Sequence, residues 1–224
     1  MSKGRLLVIE GLDGSGKATQ AKLLAAHLAE SGRRVMEVTF PDYESDSSAL
    51  VKMYLSGQFG DKADDVNPYA ASSFYAVDRY ASYVKDWRPF YLQGGLVLSD
   101  RYTTSNAVHQ AGKVPEAERS AFLRWLYDLE YVKMGLPQPD LVLWLNMPVE
   151  HTLRLLRERE GRNRTSADIH EKNEGYLECC HRMAAAAAEF YHWTAIDCVS
   201  DGCVRPAEDI EAEIYAHIQR CLEE

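Results

Sequence analysis

The sequence contains no uninterrupted apolar run of about 18 residues, the length that a membrane-spanning helix requires. It also begins without the apolar core and cleavage site of a secretory signal, so we predict a cytoplasmic protein with no membrane span. Cysteine is scarce and shows no Cys-x-x-Cys pair. The five are Cys179, Cys180, Cys198, Cys203 and Cys221. This odd number favours free thiols in a reducing compartment over a disulfide framework or a zinc site.

Positive charge is also in short supply. The 224 residues include 25 Lys and Arg against 34 Asp and Glu, a formal net charge of −9. A protein that binds a nucleic acid polymer or a membrane surface as its main task presents an excess of positive charge, so we predict neither partner. An acidic protein can still bind phosphates if its basic residues are concentrated in one place.

Short apolar segments alternate with segments of helical spacing along the whole chain. The predicted strands are 5–10, 34–40, 96–99, 141–145 and 195–199, and the predicted helices are 17–31, 47–55, 68–92, 115–134, 148–158, 168–193 and 206–222. Buried strands separated by helices of this length indicate a parallel sheet covered by helices on both faces. We therefore predict one α/β domain over 1–224, with five parallel strands in a three-layer α/β/α arrangement and a small lid at about 159–171.

The first strand is followed by a glycine-rich turn, Gly11-Leu12-Asp13-Gly14-Ser15-Gly16-Lys17, which fits the phosphate-loop pattern G-x-x-x-x-G-K. Glycines let backbone N–H groups turn inward around phosphate oxygens, and the next helix adds its positive end. We expect ATP to bind here. The predicted ATP-binding residues are Gly11, Asp13, Gly14, Ser15, Gly16, Lys17, Ala18 and Thr19.

One position departs from this pattern. The residue after Lys17 is normally a Ser or Thr whose hydroxyl binds Mg²⁺, and here it is Ala18. Thr19 cannot simply replace it, because the next helical position points about 100° away. We expect the metal to rest on nucleotide phosphates, water and an acidic residue elsewhere.

Five further segments follow in a characteristic order. They are Phe40-Pro41, Tyr75-Ala76-Val77-Asp78-Arg79, Asp100-Arg101-Tyr102, Ser105-Asn106-Ala107-Val108-His109-Gln110, and Arg162-Asn163-Arg164 with Asp168-Ile169-His170-Glu171. Together with the phosphate loop they make the chain resemble the thymidylate kinase family over nearly its whole length. Gly14 and Ser15 occupy the loop positions where one branch of that family carries a basic residue, so the chain is similar to the branch that uses lid arginines.

The resemblance implies a role for each motif residue in the reaction ATP + dTMP → ADP + dTDP, a step of dTTP biosynthesis. Lys17, Arg101, Arg162 and Arg164 would be catalytic. The implied substrate-binding residues are Asp13, Phe40, Pro41, Tyr75, Arg79, Arg101, Ser105, Asn106 and His109. Asp100 would hold Mg²⁺ through water, and the family's members are homodimers.

Within the implied dTMP site, Tyr75 would stack on thymine and Arg79, four residues later on one helix face, would hold the acceptor phosphate. Ser105 and Asn106 would read the thymine edge, and Asp13 would touch the 3′-hydroxyl. His109 stands where relatives carry a Tyr that selects deoxyribose.

Two other functions remain open. A deoxynucleoside kinase on the same fold needs a carboxylate base after the second strand, and Asp42 or Glu44 could serve. In relatives an Arg follows Phe-Pro, whereas this chain has Asp42 and Tyr43 there. The absent hydroxyl at Ala18 also leaves room for a nucleotide-binding module with little catalytic activity.

Overall fold

The structure, a computed structural model, describes residues 3–60, 62–163 and 174–223. Arg164 and the segment 168–171, predicted as parts of the lid, lie outside these residues. The main strands are β1 (Arg5–Glu10), β2 (Val35–Thr39), β3 (Leu96–Asp100), β4 (Leu141–Asn146) and β5 (Thr194–Asp197). They form one sheet in the order β2-β3-β1-β4-β5, and every neighbouring pair is parallel.

The predicted five-stranded parallel sheet is therefore confirmed. The last strand prediction extended too far, because Val199 belongs to a separate antiparallel pair formed by β6 (Val199–Ser200) and β7 (Cys203–Val204). None of the five cysteines forms a disulfide.

The helices connect the strands and cover both faces of the sheet. They are α1 (Lys17–Glu30), α2 (Ala49–Leu55), α3 (Pro68–Ser82), α4 (Arg88–Leu92), α5 (Thr104–His109), α6 (Arg119–Tyr127), α7 (Val149–Asn163), α8 (Glu174–Tyr191) and α9 (Ala207–Glu223). The sequence analysis missed α5, which has only six residues and is too short to show helical periodicity. Within the described residues, no helix is long and apolar enough to cross a bilayer.

Two helices predicted as continuous contain π-helical turns. The segment 68–92 divides into α3, a π turn at Tyr83–Trp87 and α4. Pro89 explains this break, because it has no N–H to donate and its ring would meet the carbonyl four residues earlier. The segment 115–134 likewise consists of a 3₁₀ turn, α6 and a π turn at Asp128–Lys133.

The predicted interruption of the helix that starts near Pro148 is also corrected. The sequence analysis ended this helix at Glu158 and placed a break from Gly161 onward, but α7 continues through Gly161 to Asn163. A single glycine lowers helix stability by about 1 kcal/mol relative to alanine, which is too little to end a helix by itself.

The core consists of two apolar layers, one on each face of the sheet. On β1, Leu7 and Ile9 face the layer under α1 and α9, whereas Leu6 and Val8 face the layer that contains Trp87. All four β1 residues are fully buried, as the central strand of a sheet covered on both faces requires. The result is the predicted three-layer α/β/α arrangement, with the carboxyl ends of β1 and β3 at one edge.

Candidate active site

The candidate site lies where β1 and β3 end beside each other. Ile9 on β1 is paired with Asp100 on β3, and the N–H of Arg101 donates to the carbonyl of Ile9 over 3.0 Å. The phosphate loop begins at Gly11, one residue beyond the end of β1. In open parallel sheets ligands bind at the carboxyl ends of the strands, so this edge is the expected place for a crevice.

The phosphate loop has the close approaches that require glycine. Gly14 has φ +84, and a Cβ there would lie 2.8 Å from Cγ of Leu156 and 2.9 Å from the carbonyl oxygen of Thr152. Gly16, with φ +94, caps α1 in the left-handed conformation. The buried hydroxyl of Ser15 has no hydrogen-bond partner among the described residues. An unpaired hydroxyl in a backbone cradle fits the binding of phosphate oxygens.

Lys17 lies at the start of α1 and is only 6% exposed. Its Nζ donates to the carbonyl of Leu12 over 2.7 Å. Burial and the nearby charge of Arg101 lower the pKa of Lys17 to about 8, although Asp13, Asp100 and Glu10 act in the opposite direction. The amine is therefore placed inside the crevice with a pKa close to physiological pH.

Arg101 connects the phosphate loop to α5. Its Nη2 donates to Oδ1 of Asp13 over 2.6 Å, and its Nη1 lies 3.1 Å from Oγ of Ser105 and 3.2 Å from Nε2 of His109. Burial disfavours the charge of Asp13, but Arg101 and Lys17 outweigh it and hold the pKa of this carboxyl well below its usual range. The backbone of Arg101 has φ 67, a left-handed conformation that is rare outside glycine and turns its side chain into the crevice.

Glu10 organises the same region and was missed by the sequence analysis. This fully buried carboxylate accepts from the N–H of Gly11 over 2.9 Å. It also accepts from the hydroxyls of Thr104 at 2.6 Å and Ser105 at 2.8 Å. Its one sequence signal is a charged residue at the end of an otherwise apolar strand, a position typical of an edge that faces a ligand.

A cavity beside the phosphate loop brings together all nine residues predicted to bind substrate. Its lining consists of Asp13, Phe40, Pro41, Tyr43, Leu55, Tyr75, Arg79, Arg101, Tyr102, Ser105, Asn106 and His109. Asp42 and Glu44, the candidate bases for a deoxynucleoside kinase, are not among its described lining residues. The individual roles of the nine residues stay predictions, but their shared location is a property of the fold.

Two aromatic residues next to each other on α3 differ in their surroundings. Tyr75 lines the cavity, and its ring stands edge-on to Tyr54 with the centroids 6.4 Å apart. Phe74 instead packs against Phe59, with the centroids 5.5 Å apart. The helical spacing from Arg79 therefore identifies the cavity aromatic, since positions four apart share a face.

Arg79 is almost fully buried and is paired with Glu130, a residue that the sequence analysis did not identify. Its Nε and Nη2 donate to the two carboxylate oxygens of Glu130 over 2.7 and 2.6 Å. Asn106 donates to the same carboxylate over 3.1 Å. The prediction that Arg79 holds the acceptor phosphate stays untested, and its charge is already compensated by Glu130.

His109 lines the cavity and also contacts two residues of α8. Its Nδ1 lies 3.3 Å from the hydroxyl of Tyr176 and 3.6 Å from Sγ of Cys180. Because Arg101 can only donate, the hydrogen bond from Nη1 makes Nε2 the acceptor and places the imidazole proton on Nδ1. Burial raises the pKa of Cys180 to about 12, so its thiol stays protonated.

The residues proposed for the metal and the lid are only partly described. Asp100 ends β3 beside Arg101, while Ala18 and Thr19 are both exposed on α1. Among the described residues, no group of three or more His, Cys, Asp or Glu side chains could hold a metal ion alone. Arg162 belongs to α7, and Arg164 lies outside the described residues.

Comparison with known proteins identifies the family. A family model described as thymidylate kinase matches residues 9–202. A thymidylate kinase from Mycobacterium tuberculosis is 31% identical over 188 residues, which cover 82% of this chain and 84% of that protein. A probable thymidylate kinase from Pyrococcus horikoshii is also 31% identical, over 98% of both chains.

A solved structure of thymidylate kinase from Candida albicans superposes with a TM-score of 0.71. The match covers 98% of this chain and 93% of the other at 18% sequence identity, so this likeness bears on the fold alone. The family match and the two relatives show common ancestry, and the matched residues 9–202 include the phosphate loop and every cavity residue. The protein belongs to the thymidylate kinase family, whose members are nucleoside monophosphate kinases.

Proposed function

We propose that the protein transfers the γ-phosphoryl group of ATP to dTMP, yielding ADP and dTDP. The observation that carries this proposal is the juxtaposition of two sites. The Asp13–Arg101 bridge of 2.6 Å connects the phosphate loop to the cavity that holds all nine predicted substrate residues. Family membership supports the same reaction.

We further propose that residues 1–224 act as one kinase domain with a lid at about 159–171.

In this account the protein aligns the reactants and neutralises charge. Loop amides and Lys17 hold the donor phosphates, and Arg101 stands between donor and acceptor. The acceptor phosphate is already an anion near neutral pH, so the reaction needs no general base. Arg162 and Arg164 of the lid would stabilise the transferring group and exclude water.

Mg²⁺ is the proposed cofactor, bound together with ATP. The crevice contains the carboxylates of Glu10, Asp13 and Asp100 against the cations of Lys17 and Arg101, so its described side chains cannot neutralise two phosphate tails alone. Magnesium is commonly held by one or two carboxylates and substrate phosphates, an arrangement that Asp100 fits. The bound ion would supply positive charge to the β- and γ-phosphate oxygens.

Substitution of Asp100 should have a large effect on kcat, and substitution of Ala18 a small one. We expect Asp100→Asn to lower kcat at saturating Mg²⁺ by about a hundredfold, because the carboxylate that would hold the ion beside the phosphates is lost. Ala18→Ser should change kcat less than about threefold if the ion rests on Asp100, water and phosphates. Steady-state rates over a Mg²⁺ titration distinguish the two. A large gain from Ala18→Ser would mean that the natural protein is impaired in metal binding.

The lowered pKa of Lys17 predicts a basic limb in the pH profile. We expect kcat/KM for ATP to fall as pH rises through about 8, because the neutral amine no longer attracts the phosphates. Lys17→Arg should retain part of the activity and remove this limb, since a guanidinium stays charged. If kcat/KM falls at the same pH in both proteins, the titrating group is not Lys17.

The cavity residues would bind dTMP by its base and sugar. We propose that Tyr75 stacks on thymine and that Ser105 and Asn106 read its edge, with Phe40 and Pro41 completing the wall. Asp13 would contact the 3′-hydroxyl. His109 would lie near the 2′ position, where its size and its bond to Arg101 bear on the discrimination against ribose.

We also propose a homodimer. Val77 and Tyr80 of α3 and Val84 of the next turn are 49%, 42% and 41% exposed, and their spacing puts these apolar side chains on one helix face. Tyr80→Glu should convert a dimer to a monomer in sedimentation velocity. The control is Lys22→Glu, an exposed position on α1, which packs on the other face of the sheet. A monomeric parent protein would refute the proposal.

The cytoplasmic location stays a prediction from the sequence.

A coupled assay of ADP release tests the proposed function. The protein is supplied with ATP and Mg²⁺ together with dTMP, dUMP, thymidine or no acceptor. We expect the highest kcat/KM with dTMP. Preferred turnover of thymidine would support a deoxynucleoside kinase, and ATP binding without turnover of any acceptor would support a nucleotide-binding module.

A further inference from the structure

Glu130 lies behind the cavity wall and contacts two of its residues at once. It belongs to the π-helical turn that follows α6, and its side chain is fully buried. One carboxylate oxygen accepts from Nε of Arg79 over 2.7 Å, and the other accepts from Nη2 of Arg79 over 2.6 Å and from Nδ2 of Asn106 over 3.1 Å.

The bidentate pairing fixes the plane of the Arg79 guanidinium. Two parallel charge-assisted hydrogen bonds hold the side chain more rigidly than a single contact could. The pairing occupies Nε and Nη2. Nη1 donates no hydrogen bond to any other described residue. Glu130 thereby sets which donor of Arg79 is available at the cavity, and it supplies the negative charge that a buried guanidinium requires.

Glu130 also fixes the orientation of the Asn106 amide. Nδ2 of Asn106 donates to Glu130 and, over 3.2 Å, to the carbonyl of Ser72. A carboxylate cannot donate, so it selects the NH₂ end of the amide and leaves Oδ1 for the cavity. With Oδ1 as an acceptor, the site complements the N3–H of thymine or uracil, whereas N3 of cytosine presents a lone pair instead.

We propose that Glu130 is a positioning residue that makes the cavity selective for pyrimidines with an N3–H group, by holding Asn106 as an acceptor and Arg79 in one plane. This inference rests on the proposed function, because it assumes that the base enters this cavity. Glu130 does not touch the nucleotide and acts only through the two side chains that it holds.

The test measures binding of dTMP and dCMP by titration calorimetry without ATP, so that it does not depend on turnover. Glu130→Gln keeps the size of the side chain but brings an NH₂ group that can face Asn106. We expect its Kd for dTMP to rise about tenfold or more and the Kd ratio of dCMP to dTMP to fall by a similar factor. Glu130→Asp retains the carboxylate and should preserve more of the selectivity than Glu130→Gln.

Asp128→Asn is the matched control, since Asp128 lies in the same turn and is half-exposed. It should leave both Kd values unchanged. If Glu130→Gln does not fold, the double variant Arg79→Gln with Glu130→Gln, which removes both buried charges, takes its place and should show the same loss of selectivity. Normal selectivity in either folded variant overturns the inference. Failure of the parent protein to bind dTMP refutes the proposed function instead.

Discussion

Replacing Lys17 by alanine should lower kcat about a thousandfold, which corresponds to about 4 kcal/mol of the activation barrier. Lys17 places a single positive charge inside a crevice that also contains three carboxylates. The charge on the outer phosphates increases as the γ-phosphoryl group moves, so the loss should be larger in the transition state than in the ground state. We expect kcat to fall more than the affinity for ATP. Single-turnover rates at saturating ATP measure this directly.

The matched control is Lys22→Ala, an exposed lysine on the same helix α1. It removes the same charge from the chain but not from the crevice, and its kcat should equal that of the parent protein. A Lys17→Ala protein that folds normally and retains more than about a tenth of the parent kcat would contradict the account of the phosphate loop.

Replacing Arg101 by glutamine should lower kcat/KM for dTMP by about a thousandfold. The Arg101 side chain hydrogen-bonds both to Asp13 in the phosphate loop and to Ser105 in α5. Its loss separates the two halves of the crevice and removes the charge between the donor and acceptor phosphates. It also leaves the carboxylates of Glu10 and Asp13 without their shared cation, so the folded state should be less stable.

Two further variants separate catalysis from folding for Arg101. Arg101→Lys keeps the positive charge but cannot form the fork of hydrogen bonds, and it should recover stability more fully than kcat/KM. Arg124→Gln on α6 removes an exposed arginine and should change neither quantity. Thermal unfolding measured beside the kinetics identifies any loss that is due to folding alone. Parent-like kcat/KM for dTMP in a folded Arg101→Gln protein would place the phosphates elsewhere.

The sheet and the phosphate loop could be predicted because their signals are local. The apolar strand Arg5–Glu10 has the same limits in the sequence prediction and in the structure. The helical spacing between Tyr75 and Arg79 likewise identified which of two adjacent aromatics enters the cavity. Such features depend on residues within a few positions of one another, and elementary geometry connects them.

Glu130 and Glu10 could not be identified in this way because their partners are distant in the chain. Glu130 lies 51 residues from Arg79 and 24 from Asn106. It belongs to a segment predicted as ordinary helix, and only the folded structure shows that it meets Arg79 of α3 and Asn106 of α5. The Glu10–Thr104 hydrogen bond connects residues 94 positions apart. Both carboxylates support the predicted site from behind, a position that motif spacing does not report.

The most direct test of the proposed crevice uses one molecule that contains both substrates. Adenosine and thymidine joined through their 5′ oxygens by a chain of five phosphates would span a donor site and an acceptor site whose phosphates face each other. We expect it to bind one per protein chain, about a hundredfold tighter than ATP or dTMP alone, because the second nucleotide binds intramolecularly. The linked molecule should also displace both ATP and dTMP from the protein. A linked molecule that binds no tighter than ATP and does not displace dTMP would contradict a shared crevice.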